Sequence, residues 1–497
     1  MALATLLAKA CGLVRDSMIA GHFAAGMEAD AFMTASKLPT MLFDIVIGGV
    51  ISASFIPIFA AAREDGGEEE AQRFAGKFIT LILLAAAVIA VLGIIFSGGL
   101  VSLLAPGFTG EKHALAAELS AIMFPMIIFT GLAFSFVGIL QSYGEFNIPS
   151  IISLISNIAI IAYFPLFSDR LGIKGLAYTM VVAWSLQVIV QIPSLVRLKF
   201  KYRPSIAFND KNIKAALTLA LPMLVSTWIQ PLYSIINSRI ASGINGAPAT
   251  LEYANRLYVV MTGVFSFVVT NLVFPKAAKA NAEHDENAAR GLIASSLKTI
   301  ILIILPLTVG VIILSKPITS VIYEHNKFSA ENVKNVSSAL SCYSIGMVGL
   351  AINEVLSKYF FSMKNSKTPM RNSIISMVVN IALAYALFAA FKTPGLALAA
   401  AFGSICNAAL NAFSLRDKRL LKKADCVSVL KMIVSSAAMA AAVFGVYGAL
   451  SGALYTSFIG KVLLLAICGA VGVIVYFIMN IILKVDIVVG LFGRKAG

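Results

Sequence analysis

Five charged side chains lie where an apolar chain has little reason to carry them. Lys9, Arg15 and Asp16 fall in LLAKACGLVRDSMIAG (6–21), Lys37 in ASKLP (35–39) and Arg256 in ANRLY (254–258). A charge at mid-bilayer costs at least about 2.5–3.5 kcal/mol on insertion scales, so it persists where it faces a bundle interior or a wet cavity. On a helical wheel Thr5, Ala8, Lys9, Gly12, Arg15 and Asp16 share an arc of about 120°, with Leu6, Leu7, Leu13, Val14 and Met18 outside it. The first helix therefore reads as a polar stripe on a greasy back. Asp16 partly compensates Arg15 or Lys9, and Asp30, Asp44 and Glu252 add carboxylates, two of them (Asp30 and Glu252) near the outer ends of their helices. Cations remain in excess at the centre. They suit an anion, and arginine's planar fork matches phosphate and pyrophosphate oxygens. Lys9 and Lys298 have the alternative of snorkelling to the interface.

The elements that must position these charges are membrane helices. Of the 497 residues, 59% are hydrophobic and 13% charged, and the mean hydropathy is +0.89. Soluble chains carry roughly 25% charged residues. Apolar windows of about 20 residues centre near residues 12, 47, 88, 127, 158, 184, 226, 265, 305, 347, 380, 402, 439 and 470. The expectation is an all-α polytopic protein of about fourteen spans, several long enough to tilt or project. The stretches near 60–75, 198–212, 276–290 and 315–333 read as linkers, with EDGGEEE (64–70) a solvated loop.

The net charge of +15 suggests nucleic acid until the cations are sorted by loop. They concentrate on one side, as in VRLKFKYR (196–203) and SLRDKRLLKK (414–423). That is the positive-inside rule with both termini cytoplasmic, so no nucleic-acid partner is expected. The cysteines form no CxxC pair, and His22, His113, His284 and His325 read as loop-proximal or interfacial. No P-loop, HExxH, GxSxG or metal-binding carboxylate cluster is present, so neither an enzyme nor a cofactor is expected.

The chain also repeats. Lys37 and Arg256 are 219 residues apart, and each precedes a proline by about 20 residues (Pro57 and Pro275). QSYGEFNIP, ending at Pro149, aligns with FSMKNSKTP, ending at Pro369; KGLAYT (174–179) aligns with PGLALA (394–399). An offset of six spans gives a parallel repeat, a frequent transporter architecture. The expected organisation is two six-helix lobes, 1–200 and 205–423, followed by two helices within 426–484. Pro39 and Gly48-Gly49 in the second span, and Pro222 and Pro231 in the seventh, mark bends or ordinary packing.

GLVRDSMIAGHFAAGMEADAFMTASKLP (12–39), GGVISASFIPIF (48–59), LLAPGF (103–108), GILQSYGEFNIPS (138–150) and LEYANRLYVVMTGVFSFVVTNLVFPK (251–276) resemble the MurJ/MviN family of lipid II flippases, within the multidrug/oligosaccharidyl-lipid/polysaccharide exporter superfamily. The resemblance implies two six-helix lobes in a V around a central cationic cavity, with the last two helices framing a lipid-tail groove. It implies transfer of undecaprenyl-pyrophosphate-linked disaccharide-pentapeptide between the leaflets of a bacterial cytoplasmic membrane, with membrane lipid and cell-wall synthesis proteins as partners. The family's substrate-binding positions fall on Arg15, Asp16, Asp30, Lys37 and Arg256, and Lys9 stands where relatives carry arginine. Phe43 and Gly48 replace a family arginine and glutamate. Asn237 replaces an aspartate implicated in sodium binding, which leaves coupling open among membrane potential, sodium and protons. The chain begins almost inside its first span, without the leader many relatives have. The alternatives are a flippase for another polyprenyl-pyrophosphate-linked oligosaccharide, a cation-coupled multidrug antiporter, which favours an acidic cavity, and a non-transporting scaffold.

Overall fold

The computed structural model describes residues 2–48, 51–206, 210–218, 229–268, 286–363, 365–415 and 423–488. Gly49, Pro222, Pro275, His284 and the span centre near 226 lie outside them. The described residues form seventeen α-helices and two π-helical segments, with no strand among them. The other thirteen expected centres all fall in a helix. Eight stretches of the described residues are long and apolar enough to cross a membrane, or nine if one bent pair counts as a single span. The protein is an all-α polytopic membrane protein.

Two compact units divide the chain, Met1–Ala249 and Thr250–Gly497. In the first, α1 (Ala2–Phe23) and α2 (Met27–Phe43) lead through π segments Asp44–Gly48 and Ile51–Phe55 into α3 (Ile56–Ile95). Then follow α4 (Ser97–Leu104), α5 (Gly110–Met123), α6 (Met126–Ser142), α7 (Asn147–Ile189), α8 (Ile192–Arg197) and α9 (Ile229–Ala241). Helix α1 packs on α7, α2 on α5 and α3 on α6. Pro39 is buried inside α2, and regular α geometry gives way to the π form five residues later, at Asp44. Phe55, Phe74 and Phe78 cluster between the second π segment and α3, with ring centroids 5.0–5.7 Å apart.

The expected loop at 60–75 is instead helix. Its Ala, Glu, Gln and Arg residues are strong helix formers, and i,i+4 contacts add to them: Arg73–Glu69 at 3.0 Å and Gln72–Glu68 at 3.1 Å. Gly67, at φ 72°, takes up the break within α3. Gly172, at φ 52°, likewise divides the 43 residues of α7 into two spans. Gln187 donates to Ser156 Oγ at 3.0 Å and ties those halves together.

The second unit starts within α10 (Ala247–Val268) and continues through α11 (Glu286–Tyr323), α12 (Ala330–Ile345), α13 (Met347–Ser362), α14 (Lys367–Phe391), α15 (Thr393–Ser414), α16 (Lys423–Leu454) and α17 (Phe458–Ile482). Helices α12 and α13 meet at a 41° bend. The hairpin α16–α17 packs against α11 through Leu314, Met439, Val443, Leu464, Cys468 and Tyr476. Polar contacts pin both ends of that packing. Lys298 Nζ lies 2.6 Å from Asp425 Oδ1, so this cation is paired rather than snorkelled. Just past α11, Glu324 accepts from Lys461 Nζ at 2.8 Å and from the Ser320 hydroxyl.

Burial alone would raise the Glu324 carboxyl, but the hydrogen bonds from Lys461 and Ser320 and the charges of Lys461 and Lys316 hold it below its ordinary 4.5. A depressed folded-state value contributes stability above 4.5 that is lost as pH falls through that value. Acidifying the detergent-solubilised protein from neutral pH to below 4.5 should therefore lower its melting temperature more steeply than that of Glu324→Gln or Lys461→Ala. Parallel acid limbs in scanning fluorimetry would refute this.

Candidate functional site

Arg15 lies on α1 with its side chain 19% exposed, and three hydrogen bonds to two residues fix its guanidinium. Nε and Nη2 donate to Asp16 Oδ1 at 2.9 and 2.8 Å, and Nη1 donates to Asn157 Oδ1 at 2.9 Å. Asn157 in turn donates from Nδ2 to the Ala8 carbonyl at 3.0 Å, clamping α7 to α1. A guanidinium has five N–H donors, so two remain for a ligand. Asp16 is buried and shares Arg15's charge without filling its fork. Lys9 is exposed on the same helix and pairs with no described residue. Lys37, two residues before Pro39 on α2, is partly buried and engaged.

Asp30 serves a different purpose from the expected contact with substrate. It is fully buried, and its carboxylate accepts from Lys112 Nζ at 2.6 Å and from the backbone N–H groups of Gly246 (2.7 Å) and Ala249 (2.9 Å). Gly246 immediately precedes α10 (Ala247–Val268) and Ala249 lies in its first turn, where amides lack intrahelical partners and the helix dipole favours an anion. Lys112 also donates to Asn245 Oδ1 at 3.1 Å and sits 4.3 Å from the Phe108 ring centroid. Asp30 thus caps a helix.

In the second unit, Arg256 Nε donates to Glu252 Oε1 at 3.1 Å, one turn away on α10, and both side chains are largely buried. Glu354 and Lys358, four apart on α13, are a second partly buried, engaged set of opposite charges that the sequence reading missed. Their i,i+4 spacing inside an apolar span was the available signal. Asn157 was missed as well, although it stands beside an expected span centre.

Phe43, in place of a family arginine, is buried and stacks on Phe134 with centroids 5.8 Å apart. Asn237 on α9 offers one buried carbonyl oxygen with no hydrogen-bond partner among the described residues. Sodium needs several oxygens, and no metal-binding group of three or more His, Cys, Asp or Glu occurs among the described residues. His22 and His113 are packing and capping residues: His22 Nδ1 lies 2.9 Å from the Met18 carbonyl and its ring packs on Phe164, while His113 Nε2 lies 2.9 Å from Ser102 Oγ.

Charged side chains are thus fixed inside an all-α membrane fold, and solved structures share that fold. A solved multidrug resistance MATE family transporter of the MOP superfamily, in an inward-facing conformation, shares that fold, with TM-score 0.69, 16% identity and coverage of 82% of this chain and 93% of that one. A solved lipid II flippase MurJ in an inward closed conformation gives TM-score 0.83 at 25% identity over 98% of this chain and 99% of that one. The lipid II flippase MurJ of Burkholderia cenocepacia is 28% identical over 423 residues, 83% of this chain and 82% of its own. A probable lipid II flippase MurJ from Buchnera aphidicola is 27% identical over 490 residues, 97% and 96% of the two chains. The sequence profile of the family described as lipid II flippase MurJ matches residues 19–469. The chain belongs to that family.

The cap predicts a stability phenotype. Asp30→Ala leaves Lys112 buried and two helix amides unpaired, and should destabilise by roughly 3–5 kcal/mol, as loss of one partner from a buried ion pair does. Lys112→Ala should cost less, because the amides keep their acceptor. Thermal unfolding in detergent measures both, and equal losses would refute the capping role.

Proposed function

We propose that this protein moves lipid II, undecaprenyl-pyrophosphate-linked disaccharide-pentapeptide, from the inner to the outer leaflet of a bacterial cytoplasmic membrane, with both termini in the cytoplasm. The observation that carries the reading is Arg15: a guanidinium immobilised inside the membrane fold with two N–H donors unspent. One unspent N–H on each of Nη1 and Nη2 can bond a pyrophosphate oxygen. Membership of the lipid II flippase MurJ family supplies the substrate class.

In the proposed cycle the pyrophosphate reaches a cationic cavity from the cytoplasmic side. Arg15 and Arg256 bind it, Lys9 and Lys37 add field, and the prenyl chain stays in lipid beside α16 and α17. Asp16 and Glu252 keep the empty arginines compensated. Asp30 positions the helices. Access then switches, and the headgroup leaves outward. The membrane potential, inside negative, acts on the empty cationic site with about 2.3 kcal/mol per charge per 100 mV and is the proposed resetting force.

Complementation tests this. Expression of the chain in a bacterium depleted of its own lipid II flippase should restore growth. Arg15→Ala and Arg256→Ala should abolish rescue at normal membrane abundance, and Arg15→Lys should restore it poorly, since lysine keeps charge but loses the fork. Failure of a well-inserted wild type would overturn the substrate. Full rescue by both alanine variants would overturn the cationic site.

A further inference from the structure

An apolar pocket of about 470 Å³ opens on the flank of the first unit, within the roughly 300–1,000 Å³ typical of small-molecule sites. All its lining side chains are apolar, among them Val46 of the first π segment, Ile82, Ala85 and Val88 of α3, and Ile213 and Leu217. Val46, Val88 and Leu217 are exposed, so in a membrane the pocket faces lipid. Residues 211–218 form the helical turns that close one side of it. Asp210 fixes them in place, accepting from the N–H groups of Asn212 (2.9 Å) and Ile213 (3.2 Å) and from Lys77 Nζ (2.6 Å).

The same turns carry Lys211 and Lys214, both exposed and paired with no described residue. They are one turn apart, and Lys214 is one turn from Leu217. Beside them runs the basic stretch Lys199, Lys201 and Arg203, fastened to α3. Lys201 N–H donates to Gln72 Oε1 at 3.3 Å, Ser205 N–H to Thr80 Oγ1 at 3.3 Å, and a Cβ on Gly76 would lie 2.6 Å from the Arg203 carbonyl oxygen. Of the acidic groups at this end, Asp210 is paired with Lys77 and Glu69 with Arg73 at 3.0 Å, while Glu70 accepts from the neutral amide of Asn212 at 3.4 Å. Two exposed ammonium groups with no ion pair among the described residues therefore border an apolar, lipid-facing pocket.

We propose that this pocket holds one acyl chain of an anionic phospholipid whose phosphate sits on Lys211 and Lys214. Lipid tails are as apolar as the pocket wall, so the chain alone gives no selectivity over bulk lipid. The lysines supply it, as basic clusters near membrane surfaces select anionic headgroups. The site uses none of the residues assigned to lipid II and stands independently of that reading.

Native mass spectrometry of the full chain in mild detergent, titrated separately with phosphatidylglycerol and phosphatidylethanolamine, tests it. Wild type should retain phosphatidylglycerol preferentially. The double variant Lys211→Ala, Lys214→Ala should lose that retention by roughly thirtyfold, the attraction expected of two surface lysines, with phosphatidylethanolamine unchanged. Ala85→Phe, which fills the pocket, should lower retention of both lipids. Equal retention of the two lipids by wild type, unchanged phosphatidylglycerol in the lysine variant, or unchanged adducts in a folded Ala85→Phe would each overturn the site. If Ala85→Phe does not fold, the exposed lysine pair decides alone.

Discussion

Hydrocarbon offers a guanidinium nothing to bond to, so a cation held among membrane helices must find its partners within the chain. Arg15 finds them in Asp16 and in Asn157 of a distant helix, and the helix pair α1–α7 is built around that demand. Adjacent residues on a helix do not face one another, so the arginine must fold back on Asp16 to reach it. Asn157 then stops the guanidinium from rotating freely. Being neutral, Asn157 orients the charge without cancelling it. The outcome is a cation whose burial is compensated and whose spare donors keep a direction. A bare arginine would bind an anion more tightly, yet transport also requires release. A pre-compensated one binds through hydrogen bonds rather than through the full force of an unpaired buried charge.

The same constraint organises the framework. Asp30–Lys112, Lys298–Asp425 and Lys461–Glu324 are each closer than 3 Å and join segments remote in sequence. In each a partly or wholly buried charge would be costly alone, so the pair fixes which helices neighbour one another. Between these pins the backbone is interrupted at Gly67, at Gly172 and at the two π segments after Pro39. Rigid bodies joined at such breaks suit a protein that must rearrange in the membrane. The two glycine breaks fall in charged stretches, Gly67 within EDGGEEE and Gly172 between Arg170 and Lys174, and the π segments in apolar sequence.

Much of this was legible in the sequence because membrane helices advertise themselves by hydropathy alone. The polar stripe of α1 followed from a wheel drawn on Lys9, Arg15 and Asp16. What stayed hidden was who meets whom. Asp30 reads as one more carboxylate of a charged cavity until Lys112 and the amides of Gly246 and Ala249 are seen to occupy it. Nothing in residues 30, 112 and 246 announces that contact, since it depends on tertiary packing rather than period. The stretch 60–75 was misread for a local reason: its polarity suggested a loop, while its propensity favoured helix. Glu354 and Lys358 were passed over because the surrounding apolar residues keep the window hydrophobic despite two charged side chains.

The departures from the family pattern bear on how the charge is shared. Phe43 is packed against Phe134 and has no donor to offer, so the place of that family arginine belongs to the core here. Lys9 retains a charge but, as a compact ammonium, cannot present two parallel donors. In the proposed cycle direction therefore rests on Arg15 within the first unit, and Lys9 contributes field, which falls off slowly and tolerates imprecise placement. A pyrophosphate can be attracted by any nearby cation but is oriented only by a fork held still. Where fewer forks are present, the side chain that immobilises one gains weight. That argument makes Asn157, which touches no substrate atom in the proposed cycle, a positioning residue as consequential as the charges themselves.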